Sequence, residues 1–411
     1  MRHSYYHARI QRTLAFLIPS DKTLFVVKDI PQKHFPAKQF DYLFLDGSLG
    51  KTNDICDLLK KIRRLCHPST RLIIYQHNHL WQGILTLAER LALKRNEGIH
   101  NWLSVGDVTM YLSGAAFDVT RIFRHTMMPL SLFGIGSLIN GFFDLFPFFD
   151  MFKLDQFIIA RPLPILSEKA DIPQSVTICL TVRNERGNIE PIVKKLPLLC
   201  DRQEILFVEG HSTDGTREEI ERVIATNPEK NIRVIGQPGK GQGDAIRVGF
   251  KEAQGEVIIL YEGDGTSDPR DLYYVWEAMQ SKRFEFIEGS RLVYPFHTKA
   301  MPWTNKIGNM IFAKWFSFFL GQRVTDVLSG IKAILKKDYE LLYTQWGFLG
   351  VPDPFGDFEL LYGAARMGLK FGEIPIHYYP RPYGTPKTRV LFHGLRLLAM
   401  AIRGYWIFRR N

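Results

Sequence analysis

Three acids crowd the end of one apolar run. In "VIILYEGDGTSDP", Val257 to Pro269, four apolar residues and a tyrosine lead into Glu262, Asp264 and Asp268, set among glycines. Carboxylates this close raise one another's pKa, so a positive partner is expected among them. The simplest is a hard divalent cation held by oxygen ligands, Mg2+ or Mn2+. Asp264 is the first candidate ligand, and Glu262 the second, directly or through water. Gly263 and Gly265 leave room for backbone and ligand to approach each other.

A strand must deliver such a tip, and three similar units precede it. "SVTICLTVRNERGNIEPIVKKL" reads as strand, loop and helix, and "EILFVEGHSTDGTREEIERVI" repeats the pattern. "IRVIGQPGKGQGDAIRVGF" supplies a third, and the acidic tip ends the fourth strand. The loops "TVRNE", "VEGHSTDGT", "GKGQGDA" and "YEGDGTSDP" therefore share one edge of an open α/β sheet, where ligands collect at the carboxyl ends of strands. "PGKGQG" is not a P-loop, because the GxxxxGK spacing fails and Gly241 stands where Ser or Thr is required. His211 and His297 are not spaced as a metal cluster and read as structural.

Downstream, no acid occurs between Glu288 and Asp326, while Arg291, Lys299, Lys306, Lys314 and Arg323 are interleaved with Trp303, Ile307, Met310, Ile311, Trp315, Phe318 and Phe319. Cations beside an apolar face suit a lipid phosphate; the same helical spacing also suits a core-packed helix, and stacking aromatics among cations suit RNA. Arg381, Gly384, Lys387 and Arg389 lie in a proline-rich stretch with the makings of a hinged, cationic lid.

From Val176 onward these motifs, in this order, resemble family 2 glycosyltransferases of the GT-A fold, in particular the dolichyl-phosphate mannose synthase-like branch. The first loop is Thr181, Val182, Arg183, Asn184, Glu185, and the second runs from Glu209 through Asp214 to Thr216. Gly239 to Gly241 is the third, and Glu262, Gly263, Asp264 stands for the family's D-x-D. "GSR", Asn305-x-x-Gly308-Asn309 and Thr325-Asp326-x-x-Ser329-Gly330 follow. The resemblance implies a nucleotide-diphosphate sugar donor contacted by Thr181, Arg183, Glu185, Glu209, Lys240, Asp264, Arg381, Lys387 and Arg389. It implies a divalent cation on Glu262 and Asp264, and a polyprenyl phosphate or other lipid acceptor near Arg291, Lys306 and Asn309. Displacement would be in line and inverting. A phosphate acceptor needs no base; a hydroxyl acceptor does, and Asp357, then Asp326, are the candidates. Two departures, Glu262 for Asp and Gly210 for the second acid of the second loop, keep open a non-catalytic scaffold.

The first half alternates strands and helices, with "KTLFVV", "FDYLFLD" and "TRLIIYQHN" as strands. "FDYLFLDGSLG", "HPSTRLIIYQHNHLW" and "AAFDVTRIFRH" resemble the later part of a class I S-adenosylmethionine-dependent methyltransferase. That family binds its cofactor on a glycine-rich turn after the first strand. Here "KTLFVV" runs into "KDIPQKHFPAKQ" with no glycine, so S-adenosylmethionine is not expected. The chain divides into a degenerate methyltransferase-like unit over 1–160, a linker over 161–175, a GT-A unit over 176–389 and a basic amphipathic helix over 390–411 expected to lie on a membrane surface.

With 411 residues, 45% hydrophobic and 23% charged, the chain is globular in composition; its formal net charge of +11 calls for anionic partners. An anionic membrane surface is expected and nucleic acid is not. The four cysteines, Cys56, Cys66, Cys179 and Cys200, lack Cys-x-x-Cys spacing, which predicts reduced thiols and no zinc site. No signal peptide or membrane span is expected, which places the protein at the cytoplasmic face of a membrane as a peripheral protein. Met127 to Phe152, interrupted by Pro129, Asn140, Asp144, Pro147 and Asp150, reads as two short helices, buried in preference to interfacial.

Overall fold

The computed structural model describes all residues except 1, 29–34, 53, 92–100, 164–171, 295–299, 345–352, 354, 386–389 and 411. The first part contains α1 (Arg2–Leu17), β1 (Leu24–Val27), β2 (Phe40–Asp46), α2 (Ser48–Lys51), α3 (Ile55–Arg64), β3 (Cys66–His77), α4 (Gln82–Arg90), α5 (Val105–Gly114), β4 (Phe117–Arg124), α6 (Ile135–Asp144) and β5 (Asp155–Pro162). Its sheet has the order β1-β2-β3-β5-β4. β1, β2 and β3 are parallel, and β5 runs antiparallel to both β3 and β4. The strands predicted over "KTLFVV", "FDYLFLD" and "TRLIIYQHN" are present. The helix expected to open at Thr52 or Asn53 is instead capped by Asp54, whose side chain accepts from Asp57 N. β5, buried along its whole length, carries the sheet through Pro162, two residues into the expected linker.

The second part contains β6 (Ser175–Val182), α7 (Arg186–Lys195), β7 (Arg202–Glu209), α8 (Thr216–Thr226), β8 (Ile232–Gly236), α9 (Gln242–Glu252), β9 (Val257–Glu262), α10 (Leu272–Gln280), β10 (Phe286–Ser290), α11 (Trp303–Leu320), β11 (Ile331–Leu335), α12 (Lys336–Thr344), α13 (Asp357–Arg366), β12 (Phe371–Pro375) and α14 (Val390–Arg410). The sheet order is β12-β10-β11-β9-β6-β7-β8. β6, β7, β8 and β9 are parallel, and β11 is reversed between β9 and β10. Apolar clusters cover both faces: Ile189, Ile220 and Trp276 on one, Phe250, Phe316 and Tyr362 on the other. That double cover explains the near-continuous apolar runs of β6 and β9.

A charged seam joins the two parts. Arg71 Nη2 donates to Glu285 Oε1 at 2.8 Å, and Arg161 Nη1 stands 3.4 Å from Glu285 Oε2. Lys370 Nζ reaches Asp118 at 3.0 Å, and Arg366 Nε donates to Phe16 O at 2.9 Å.

Two membrane-facing expectations change. α14 docks Leu397, Met400, Ala401, Tyr405 and Phe408 into the protein core, so it is not simply an interfacial helix. Its other face keeps Leu395, Leu398 and Ile402 exposed, so the helix is apolar on two sides. The buried reading of Met127 to Phe152 is overturned. Phe133, Ile135, Leu138, Phe142, Phe146 and Phe148 are exposed, while Asn140 and Asp144 are buried. Asn140 accepts from Met127 N and Met128 N at 2.7 and 2.8 Å, and Asp144 takes Lys153 Nζ at 2.5 Å. The polar residues in this stretch satisfy one another inside, which turns the aromatic face out. Among the described residues no helix is long and apolar enough to cross a membrane.

Candidate active site

Strand register brings the four loops together. Thr181 pairs with Glu262, Val182 with Glu209, and Glu209 with Gly236, so β6, β7, β8 and β9 end on one edge. The first two loops are stitched directly: Asn184 N donates to Ser212 Oγ at 2.9 Å, and Thr213 N donates to Asn184 Oδ1 at 2.8 Å. Glu209 Oε1 accepts from Ser212 N at 2.6 Å, so this acid shapes its own loop. His211 Nε2 lies 3.2 Å from Gly239 O and ties the second loop to the third, the structural role expected of it. His297 lies outside the described residues.

The positive partner foreseen for the acidic tip is in part an arginine. Arg381 Nη1 donates to Glu185 Oε1 at 2.7 Å, and its Nη2 donates to Asp264 Oδ2 at 2.8 Å. Asp264 Oδ1 also accepts from Thr266 N and Thr266 Oγ1 at 2.9 and 2.6 Å. Asp268 turns away from the cluster, capping 269–271 and pairing with Arg270 at 2.7 Å, so it stands apart from any cation held at the tip. Glu262 accepts a hydrogen bond from Gln242 Nε2. Burial, then the charges of Asp264 and Asp357, push its carboxyl up to about 7. Gly330 makes room for it, since a Cβ there would stand 2.5 Å from Glu262 Cδ.

The segment 381–384 is seated on these loops. Tyr383 packs over Gly187, where a Cβ would meet the ring at 2.5 Å, and its hydroxyl lies 3.4 Å from Asp214 Oδ2. Lys387 and Arg389, and likewise Lys299, fall outside the described residues. Arg183 and Lys240 are exposed at the mouth of the crevice, and Thr181 is half-buried beneath it.

On the far side Asp326 is fully buried and its oxygens are taken. Arg291 Nε and Nη2 form a fork on it at 2.7 and 2.8 Å, and Asn309 Nδ2 adds a bond at 2.6 Å. Although burial opposes it, Arg291 holds this carboxyl below its usual range. Asp326 is thereby a poor proton acceptor, and Arg291 and Asn309 are its partners. Lys306, one turn before the buried Asn309 on α11, is exposed. Trp303, Ile307, Met310 and Ile311 of α11 are exposed as well, while Phe316 and Phe319 fill the core, so the core-packed reading holds for one face of the helix.

Asp357 begins α13 and accepts from the buried Lys332 Nζ at 2.7 Å; Glu288 lies 3.2 Å from the same ammonium. Burial raises the Asp357 carboxyl against the pull of Lys332, and burial pushes Glu288 up to about 8. Lys332, Glu288, Gln242 and Asn188, which donates to Glu185 Oε2 at 2.6 Å, were not foreseen from sequence. A lysine inside the apolar strand "GIKAIL" was the one available signal.

Among the described residues no group of three or more His, Cys, Asp or Glu side chains is placed to hold a metal ion. Glu262 and Asp264 fit a different case, a cation that a diphosphate helps to hold. Mg2+ commonly takes one or two carboxylates and completes its shell with phosphate oxygens and water. The Glu262 carboxyl is raised by burial first and by the charges of Asp264 and Asp357 second, and a cation between Glu262 and Asp264 would offset the second cause.

Residues 177–342 match the family model described as Glycosyl transferase family 2. Glycosyltransferase AglJ of Haloferax volcanii is 29% identical over 219 residues, 52% of this chain and 66% of that protein. The UDP-N-acetylglucosamine–dolichyl-phosphate N-acetylglucosaminyltransferase of Methanococcus voltae is 28% identical over 172 residues, 41% of this chain and 67% of that protein. The polyprenol monophosphomannose synthase of Mycolicibacterium smegmatis is 24% identical over 221 residues, 52% of this chain and 81% of that protein. The chain thus spans just under two thirds of the first relative's length. Residues 177–342 are thus similar to the glycosyltransferases of family 2, and the match covers less than half of the chain.

Proposed function

We propose that the chain is a metal-dependent, inverting glycosyltransferase that moves a sugar from a nucleotide-diphosphate donor to a polyprenyl phosphate at the cytoplasmic face of a membrane. The observation that carries this reading is the Arg381 bridge between Glu185 and Asp264, spanning a crevice built from four strand ends. The relatives named for dolichyl phosphate and polyprenol support the acceptor class. The two exposed apolar faces on α11 and α14 support work at a lipid surface.

Glu262 and Asp264 would hold the cation, which supplies charge neutralisation for the departing diphosphate. Arg381, which bridges Glu185 and Asp264 at the crevice, would be placed to pair its planar fork with a phosphate oxygen of the donor. Glu185 and Glu209 stay as acceptors for base and ribose. A phosphate acceptor arrives ionised and needs no base. Were a hydroxyl the acceptor, Asp357 would take its proton, because Asp326 is saturated by Arg291 and Asn309. The first sheet serves as a scaffold docked on the transferase part, with no S-adenosylmethionine bound, since no glycine follows β1 before residue 47.

The test is transfer from a panel of UDP- and GDP-sugars with Mn2+ or Mg2+, with and without polyprenyl-phosphate vesicles, against Asp264→Asn. Vesicle- and metal-dependent turnover lost in Asp264→Asn is expected. Nucleotide binding without turnover from any donor would leave a non-catalytic scaffold.

A further inference from the structure

A cavity of about 140 Å³ lies between the two parts of the molecule, and none of the residues lining it belongs to the strand-end crevice. Its polar lining is Arg124, His125, Asp150 and Arg409, set among phenylalanine rings. Arg409 is 4% exposed; its Nη1 donates to Asp150 Oδ1 at 2.8 Å, but Nε and Nη2 have no hydrogen-bond partner among the described residues. Arg124 Nε and His125 Nε2 are likewise buried without partners. Beside them Arg121 is 1% exposed, and its Nε and Nη1 are also unpartnered. Its guanidinium lies 4.5 Å from the centre of the Phe123 ring and 4.7 Å from that of Phe408.

Charge does not balance here. Asp150 is the acid in the lining, and Lys153 already claims it at 2.9 Å. Ring faces attract a cation but leave its N–H donors unsatisfied. A buried charge without a counter-charge is costly, and two neighbouring guanidiniums add repulsion. Burial, then the charge of Arg409, lowers Arg121 to about 9, so it remains ionised at neutral pH. The space holds several waters, and so a small oxyanion.

We propose that this cavity binds a phosphate-type oxyanion through Arg124 and Arg409, with Arg121, against the Phe123 and Phe408 rings beside it, adding its charge. The source favoured by the surroundings is the head group of an anionic phospholipid. Residues 147–152, which supply Asp150, also expose Phe148, Met151 and Phe152. The outward aromatic face of α6 adjoins them, held to α14 by the Tyr405 hydroxyl bond to Asp144 O. An apolar skin beside buried arginines, on a chain of net charge +11, matches an anionic bilayer in its apolar character and in sign. This site is independent of the glycosyl-transfer reading, and its test measures binding without turnover.

The full chain is compared with Arg121→Met, Arg124→Gln and, as a charge-matched control, Arg217→Gln on the exposed side of α8. Thermal unfolding is followed in inorganic phosphate against chloride at equal ionic strength. Co-sedimentation is measured with phosphatidylcholine vesicles, with and without phosphatidylglycerol. Both anions should engage the wild type, and each cavity variant should lose about 10-fold or more in apparent affinity while Arg217→Gln keeps it. Arg124 is half-buried, so Arg124→Gln remains informative should Arg121→Met fail to fold. A response to phosphate alone, lost in the variants, keeps the site and assigns a soluble phosphate compound as its source. No response in the wild type, or responses unchanged in both cavity variants, overturns the proposal.

Discussion

Glu262→Gln separates the cost of a buried charge from its use. The folded state raises this carboxyl from 4.5 to about 7, a shift of roughly 2.5 units, with burial the leading cause. At about 1.4 kcal/mol per unit the ceiling is ~3.5 kcal/mol, and partial exposure of the side chain reduces this to about 1–2 kcal/mol. The sign follows from a folded pKa above the unfolded one. Below 4.5 the group is neutral in both states, and the full benefit of holding a proton in the fold is present. That benefit is lost as pH rises through 7, where the folded protein must carry the ionised form. Glutamine preserves the size and accepts from Gln242, but never ionises. In urea titrations without metal or nucleotide, Glu262→Gln should match the wild type near pH 4.5 and exceed it by about 1–2 kcal/mol at pH 8. Adding Mn2+ and UDP at pH 8 should reverse the order, because only the wild type gains a ligand; saturation at 100 times Kd is worth about 2.7 kcal/mol. A stability difference independent of pH, or a wild type already the more stable at pH 8 without ligand, would refute the reasoning.

Three other perturbations probe neighbouring features. Gly330→Ala sets a Cβ 2.5 Å from Glu262 Cδ, so transfer should fall by about 100-fold in steady-state assays while the unfolding midpoint moves little. Lys332→Met strands Glu288 and Asp357 together in the interior; chemical denaturation should show a loss of about 3–5 kcal/mol, and a neutral result would mean the ammonium is dispensable. Glu285→Gln leaves Arg71 and Arg161 facing each other at the seam, and calorimetry should resolve a lower-melting first transition as the two parts lose cooperativity.

The four strand-end loops were legible because each follows a buried apolar run and carries its own polar and glycine signals. Asp264 and Glu262 were placed correctly at one tip, but their clasp was not visible as such. Arg381 lies 117 residues from Asp264, and no local pattern links the two. Asp326 had the composition of a base, yet its saturation depends on Arg291 and Asn309 arriving from β10 and α11. Lys332, a buried member of an ion cluster, had no local partner in sequence: Glu288 and Asp357 lie 44 residues before it and 25 after it. β5 was not read as a strand, and its last two residues fell in the expected linker; a strand buried on both faces shows no alternation, and prolines lie close by. For Met127 to Phe152 the apolar content was plain, but periodicity does not say which side faces inward. Asn140 and Asp144 took the inside by satisfying backbone donors and Lys153.

The contact between α1 and α14 bears on how the molecule is made. Phe16 meets Phe408 edge-on at 5.3 Å, and Arg366 reaches back to Phe16 O. Phe16 and Phe408 stand 392 residues apart along the chain. At ribosomal speeds of about 5–20 residues per second, Phe16 waits roughly 20–80 s for Phe408. Ile10, Leu14 and Leu17 of α1 pack on the first sheet and are covered early, so through that interval it is Phe16 that stays open on the nascent chain, together with the exposed phenylalanines of 133–148. That corner is a target for chaperones before the transferase crevice exists.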